Sequence, residues 1–113
     1  MATPEAISNA LANVDVTVNV HKGKEGFGIY FTIKPDCQEE DQPVVTKTDD
    51  HSEAKSSGVQ PGDKLLAVQD LDKVLPVDNP GGVVLVTKSN YHAALDLVRK
   101  MKYCKMYFQS EGF

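Results

Sequence analysis

Val14-Asp15-Val16-Thr17-Val18-Asn19-Val20-His21 runs into Lys22-Gly23-Lys24-Glu25-Gly26-Phe27-Gly28, and from there into Ile29-Tyr30-Phe31-Thr32-Ile33. In the first segment four valines alternate with polar residues, the period-2 pattern of a strand with one buried face. In the last, Ile29, Phe31 and Ile33 share a face with Phe27, so the chain returns as a second strand. The loop between them is rich in glycine, which tolerates torsions that turn successive backbone N–H groups toward one point. Such a concavity binds an anion. A dinucleotide-binding reading of Gly26-Phe27-Gly28 fails, because the third glycine would fall at Phe31 and strand, not helix, follows.

Outward from this hairpin, residues 34–42 carry Asp36, Glu39, Glu40 and Asp41 and read as a solvated connection. Residues 44–48 form a short strand, and residues 52–57 one or two helical turns, capped by Ser52 and stopped by Gly58. Pro61-Gly62-Asp63 is a tight turn leading into an interior strand at 64–68. Residues 70–82 are turn-rich, and 83–86 form a further strand. A helix is predicted over about 90–101, with Ser89 or Asn90 as N-cap and Arg99, Lys100 and Lys102 where the helix dipole favours cations. Residues 103–109 make the last strand. The leader, 1–13, has only Met1, Ile7 and Leu11 among its small and polar residues and is expected to be loose. The expected organisation is therefore a leader at 1–13, one domain at 14–109 and a tail at 110–113. The domain is mostly β, with six strands, one short helix and one long helix.

The chain has 113 residues, 41% of them hydrophobic and 25% charged, which suits a single globular domain. Its 12 Lys plus Arg against 16 Asp plus Glu give a net charge of -4. The basic residues are scattered, so nothing neutralises a phosphate backbone, and nucleic acid is not expected as a partner. No apolar run is longer than residues 83–86, far short of the roughly 20 residues that span a bilayer. No basic residue precedes a leader-like segment, so neither a membrane helix nor a secretory signal is read. Cys37 and Cys104 spell out neither a zinc site nor a disulfide framework, and a reduced cytoplasmic compartment is the default. No nucleophile elbow or phosphate loop occurs, and His21, His51 and His92 lack ligand-spaced partners. No enzyme activity, metal or cofactor is expected, and His21 and His51 read as solvated surface residues.

The order Lys22-Gly23-Lys24-Glu25-Gly26-Phe27-Gly28-Ile29 is similar to the carboxylate-binding loop of PDZ domains, including a basic residue four positions before its first glycine. The resemblance extends through His51-Ser52-Glu53-Ala54-Lys55-Ser56-Ser57-Gly58-Val59-Gln60-Pro61-Gly62-Asp63-Lys64-Leu65-Leu66-Ala67-Val68 and covers about residues 14–109. It departs from the family pattern where Phe27 replaces the usual Leu, Ile29 the usual Phe, and Gln69-Asp70 an Asn-Gly. The resemblance implies a six-stranded, partly open β-barrel or sandwich capped by one short and one long helix. It also implies a non-catalytic scaffolding module that takes the free C-terminus of a partner as an added strand. Two alternatives stay open: a regulatory domain of a larger enzyme such as a protease, and a dimerisation module.

On this reading the backbone N–H groups of Phe27, Gly28 and Ile29, with Gly26 shaping the loop and Lys22 supplying charge, would hold the peptide carboxylate. Phe27, Ile29, Phe31 and Val98 would wall the pocket for the last side chain. Tyr30 and Thr32 would belong to the groove and its specificity. Starting the helix at Asn90 would bury Asp96, and starting it at His92 would put Arg99 in an apolar wall. Starting at Tyr91 gives Ala94, Leu97 and Met101 for the core and Tyr91, Leu95 and Val98 for the groove. Family members with His at the first helix position favour Ser or Thr two residues before the ligand's C-terminus. Tyr91 instead favours an acidic residue or a hydrophobe. Glu111-Gly112-Phe113 has that form, so a second copy of this chain is a candidate partner through its tail. Localisation is expected to be cytoplasmic, reaching the inner face of a membrane only through a partner.

Overall fold

The valine alternation of the first strand is realised in β1 (Val16–His21), where Val18 and Val20 are buried while Thr17 and Asn19 face solvent. The architecture comes from a computed structural model that describes residues 9, 11–12, 14–23, 26–33, 36, 38, 41–71 and 83–110. β2 (Ile29–Thr32) is shorter than its apolar pattern suggests, because Phe27 and Gly28 belong to the loop. β3 (Val44–Thr48) and β6 (Tyr103–Gln109) have the predicted bounds. β4 (Lys64–Asp70) runs two residues further than expected, since Gln69 and Asp70 pair with Lys105 and Cys104 of β6. β5 (Val83–Leu85) is short, and residues 72–82 lie outside the described residues.

Two helices complete the domain, and ahead of it Asn9 and Leu11 of the leader are also helical. In α1 (Glu53–Ser56) the Ser52 hydroxyl accepts the Lys55 N–H at 3.1 Å, as the capping pattern predicts. α2 (Tyr91–Lys100) is entered through a 3-10 turn at Lys88–Asn90. Here the expected cap is corrected: no side chain caps α2. The Asn90 amide reaches backward instead, accepting the Thr87 N–H at 2.8 Å and donating to the Leu85 carbonyl at 2.7 Å. It secures the strand-to-helix turn rather than the helix dipole.

All strand pairings are antiparallel, in the order β1-β6-β4-β3-β2, with β5 also against β4. β4 pairs along one side with β6, whereas its other side is divided. Its first residue, Lys64, meets Val44 of β3, and Ala67, Val68 and Gln69 meet β5. The turn before β4 is the expected one: the Asp63 N–H closes onto the Gln60 carbonyl at 3.1 Å, with Gly62 at φ 97°.

The core lies between the sheet and the helices. Val18, Val20, Leu65, Val68, Met106 and Phe108 from the sheet meet Ala54 of α1 and Ala94, Val98 and Met101 at α2. On the other side of the sheet a smaller cluster gathers Ala67 and Val83 with Leu85 and Tyr107, and Leu11 packs against it. Leu11 thus ties the leader to the domain, and its carbonyl accepts the Val14 N–H at 3.2 Å. Cys104 is buried in the core and forms no disulfide among the described residues.

Phe108 is fully buried, and its ring lies parallel to that of Phe31, centroids 6.4 Å apart, tying β6 to β2 across the core. We expect Phe108→Ala to cost about 3–5 kcal/mol of unfolding free energy in a urea titration. A loss under about 1 kcal/mol would show that this contact does not organise the core.

Candidate functional site

Antiparallel pairing sets which way β2 points its backbone. The Asp49 N–H donates to the Gly28 carbonyl at 2.8 Å, and Ile29 lies opposite Thr48. Ile29 and Thr48 are therefore a pair that exchanges no hydrogen bonds, and the N–H and C=O of Ile29 point away from β3. Two residues on, Phe31 does the same. β2 ends the strand order, so these groups face an open edge. A bulge between Tyr30 and Phe31 adds a residue on the β3 side, where the Thr46 hydroxyl donates to the Tyr30 carbonyl at 3.2 Å.

Across that edge runs α2, and between them lies a cleft of about 350 Å³. Phe27, Ile29, Tyr30 and Phe31 line one wall, Tyr91, Leu95, Val98 and Arg99 the other, and Met106 of β6 also lines it. The spacing of Tyr91, Leu95 and Val98 is one helical stripe, as the sequence register implies. Tyr91 is 9% exposed. Burial pushes its phenol above the usual range, with the Arg99 charge opposing, so at neutral pH it is a hydrogen-bond donor. Thr32 is exposed and does not line the cleft, and the Tyr30 ring stands on the outer face. Arg99 and Met106 were not among the expected groove residues.

Of the glycine loop, Phe27 lines this cleft, while Gly23, Gly26 and Gly28 line a second one. Gly23 and Gly26 exchange hydrogen bonds of 2.8 and 3.3 Å, pinching the loop at its base. Gly26 and Gly28 have φ of 93° and 78°, and a Cβ on Gly28 would lie 2.8 Å from that of Ser52. The N–H groups of Phe27 and Gly28 have no hydrogen-bond partner among the described residues. Together with the N–H of Ile29 they make a row of three consecutive donors along the chain, and Phe27 and Ile29 line the apolar cleft. Lys22 sits near this row, its ammonium donating to the Arg99 carbonyl at the end of α2. The Arg99 guanidinium pairs with Asp96 at 2.8 Å. Glu111, Gly112 and Phe113 lie outside the described residues.

Behind the loop is a larger cleft of about 510 Å³, whose lining includes Asp49, Asp50 and Glu53. Glu53 has a structural task there. Its carboxylate accepts the His21 backbone N–H at 2.6 Å and meets His21 Nδ1 at 2.9 Å, fastening α1 to the start of the loop. His21 is exposed as expected, yet it is engaged: its ring also stacks on Tyr103, centroids 4.1 Å apart. Partial burial pushes the Glu53 carboxyl up, but the His21 hydrogen bonds and charge outweigh it and hold it below the usual range. His51 is exposed, and among the described residues no cluster could hold a metal ion.

The sequence matches no protein-family model and no curated protein. The fold does match solved structures. One is the third PDZ domain of INAD, in complex with a TRP channel tail. It is 22% identical, with a TM-score of 0.63 over 93% of this chain and 94% of that one. Another is the PDZ domain of choanoflagellate SHANK1 bound to a GIRK3 peptide. It is 17% identical, with a TM-score of 0.54 over 84% and 91% of the two chains. The chain has the PDZ fold.

Two measurements test the loop. Gly28→Ala combines a positive φ with the approach to Ser52, so a loss of at least about 1–3 kcal/mol is expected in denaturant titration; a variant as stable as the parent would refute the crowding. Because the folded-state pKa of Glu53 is depressed, its stabilising contribution is present above pH 4.5, the unfolded value, and is lost as pH falls through the folded one. The stability gap between the parent and Glu53→Gln should therefore narrow as pH drops below about 4.5, and a constant gap would show that the carboxylate charge is not involved.

Proposed function

We propose, from the PDZ fold of this chain, that residues 14–109 form a non-catalytic interaction module that captures the free C-terminus of a partner protein. The observation that carries the reading is one juxtaposition: the open edge of β2, an apolar cleft beside it, and unpaired N–H groups in the loop that enters β2. A partner strand adds to β2, pairing with the edge groups of Ile29 and Phe31. Its terminal carboxylate accepts hydrogen bonds from the N–H groups of Phe27, Gly28 and Ile29. Lys22 and Arg99 supply positive charge at that end, directly or through water.

The last side chain enters the pocket of Phe27, Ile29, Phe31 and Val98, over Met106. The residue two before it meets Tyr91, whose phenol donates to a carboxylate and whose ring packs on an apolar side chain. An acidic residue or a hydrophobe is therefore favoured there over Ser or Thr. Partners of this kind are cytoplasmic protein tails, including those of proteins at the inner face of a membrane. No helix among the described residues is long and apolar enough to cross one. The sequence Glu111-Gly112-Phe113 meets the same requirements, which makes a second copy of the chain a minor ligand of the same groove.

A titration tests the reading with a C-terminal peptide library, spiked with a peptide ending Ser-Glu-Gly-Phe, and with the C-terminal amides of its best binders. Charge-assisted hydrogen bonds contribute about 1.5–3 kcal/mol each, so amidation should weaken binding by at least about tenfold. Equal binding of acid and amide would sink the carboxylate model. Enriched tails should carry Asp, Glu or an apolar residue two before the end, shifting toward Ser and Thr in Tyr91→His. Dominance of Ser or Thr with the parent protein would overturn the role given to Tyr91.

A further inference from the structure

Tyr30 is the large hydrophobic side chain left exposed among the described residues, at 42%. A single exposed aromatic needs no explanation by itself. This one sits on the strand whose other edge is open, and it has company. Lys47 lies directly opposite on β3, and its Nζ is 5.6 Å from the centre of the Tyr30 ring. The pair forms a row on the outer face, running from β3 across β2 toward the open edge. The Tyr30 hydroxyl lies 3.5 Å from Asp49 Oδ2, so the acidic neighbour is at the tip of the ring rather than over its face.

Side chains of an added antiparallel strand alternate between its two faces. With the terminal residue opposite Ile29, its side chain enters the cleft, and so does that of the residue opposite Phe31. The residue between them, immediately before the C-terminus, lies opposite Tyr30 and points outward beside its ring. Its Cα is two strand spacings, roughly 10 Å, from that of Lys47. A lysine stem laid over the intervening ring spans much of that distance and brings its ammonium toward the incoming side chain.

We propose that Tyr30 and Lys47 form a second specificity subsite, on the outer face of β2, that selects an acidic side chain at the penultimate position of the bound tail. The inference rests on the strand-addition reading above and adds a residue of the ligand and a residue of the chain, Lys47, to it. The contact is solvent-exposed, so the selection is graded. We expect about a two- to fivefold preference for Glu over Lys at low salt, weakening as salt is raised.

The test uses the full chain and synthetic peptides ending Val-x-Val and Val-x-Phe, with x as Glu, Gln or Lys, each as free acid and as amide. Fluorescence anisotropy should rank the free acids Glu, Gln, Lys in descending affinity. Lys47→Gln should level that order and Lys47→Glu should invert it, with thermal melts confirming that both variants fold. Binding of free acids over amides with no dependence on x would overturn this subsite alone. A preference for Lys at x, or an order unchanged in both Lys47 variants, would also overturn it. Equal binding of acid and amide, or no binding, would overturn the groove reading and the subsite together.

Discussion

A strand has two edges, and β4 has three neighbours. That constraint organises the molecule. β6 occupies one edge of β4, while β3 takes only the start of the other and β5 takes the rest. Held at so few positions, β3 carries β2 with it to the end of the strand order, so β2 never pairs with β6. α2 lies along the resulting gap, and the buried Met106 of β6 lines the cleft between strand and helix. The parallel rings of Phe31 and Phe108 limit how far the gap opens.

The loop between β1 and β2 is positioned from two directions. From α1, Glu53 fastens its first strand, and Ser52 stands so close to Gly28 that no side chain fits between them. From α2, the carbonyl of Arg99 holds Lys22. The last contact has an electrostatic role as well, because the C-terminal end of a helix is a partial negative charge. An anion bound at the loop would face that end of α2, and the Lys22 ammonium on its carbonyl offsets the repulsion.

Much of this was legible from residue order, for identifiable reasons. Alternation over Val14 to Val20 marks a strand with one buried face, and β6 has the bounds expected of the last strand. The Ser52 cap and the Gln60-Pro61-Gly62-Asp63 turn are local chemistry, so they too could be read directly. The stripe of Tyr91, Leu95 and Val98 lines the cleft as the helix register implies, although Arg99, which the register argument kept out of the wall, lines it too. What escaped the reading depends on contacts remote in sequence. Arg99 enters the wall of the cleft only because α2 lies beside β2, and Met106 reaches it from β6. Asn90 has the composition of a helix cap, but the Leu85 carbonyl competes for its amide. His21 looks like an isolated surface histidine until α1 brings Glu53 to it.

The brevity of β2 has a kinetic consequence. Only four residues form the strand, and in the proposed mode of binding the Ile29 N–H is given to the carboxylate. An added tail is left with the Ile29 carbonyl and both groups of Phe31, about 3 kcal/mol of ladder at a net value near 1 kcal/mol per bond. A micromolar complex needs about 8.2 kcal/mol. Backbone pairing alone therefore releases a tail quickly, and the residence time is set by the carboxylate and the side chains that flank it. A segment in the middle of a chain, with no terminal carboxylate to offer, would exchange off this edge faster than a true end, and so would the edge of another sheet.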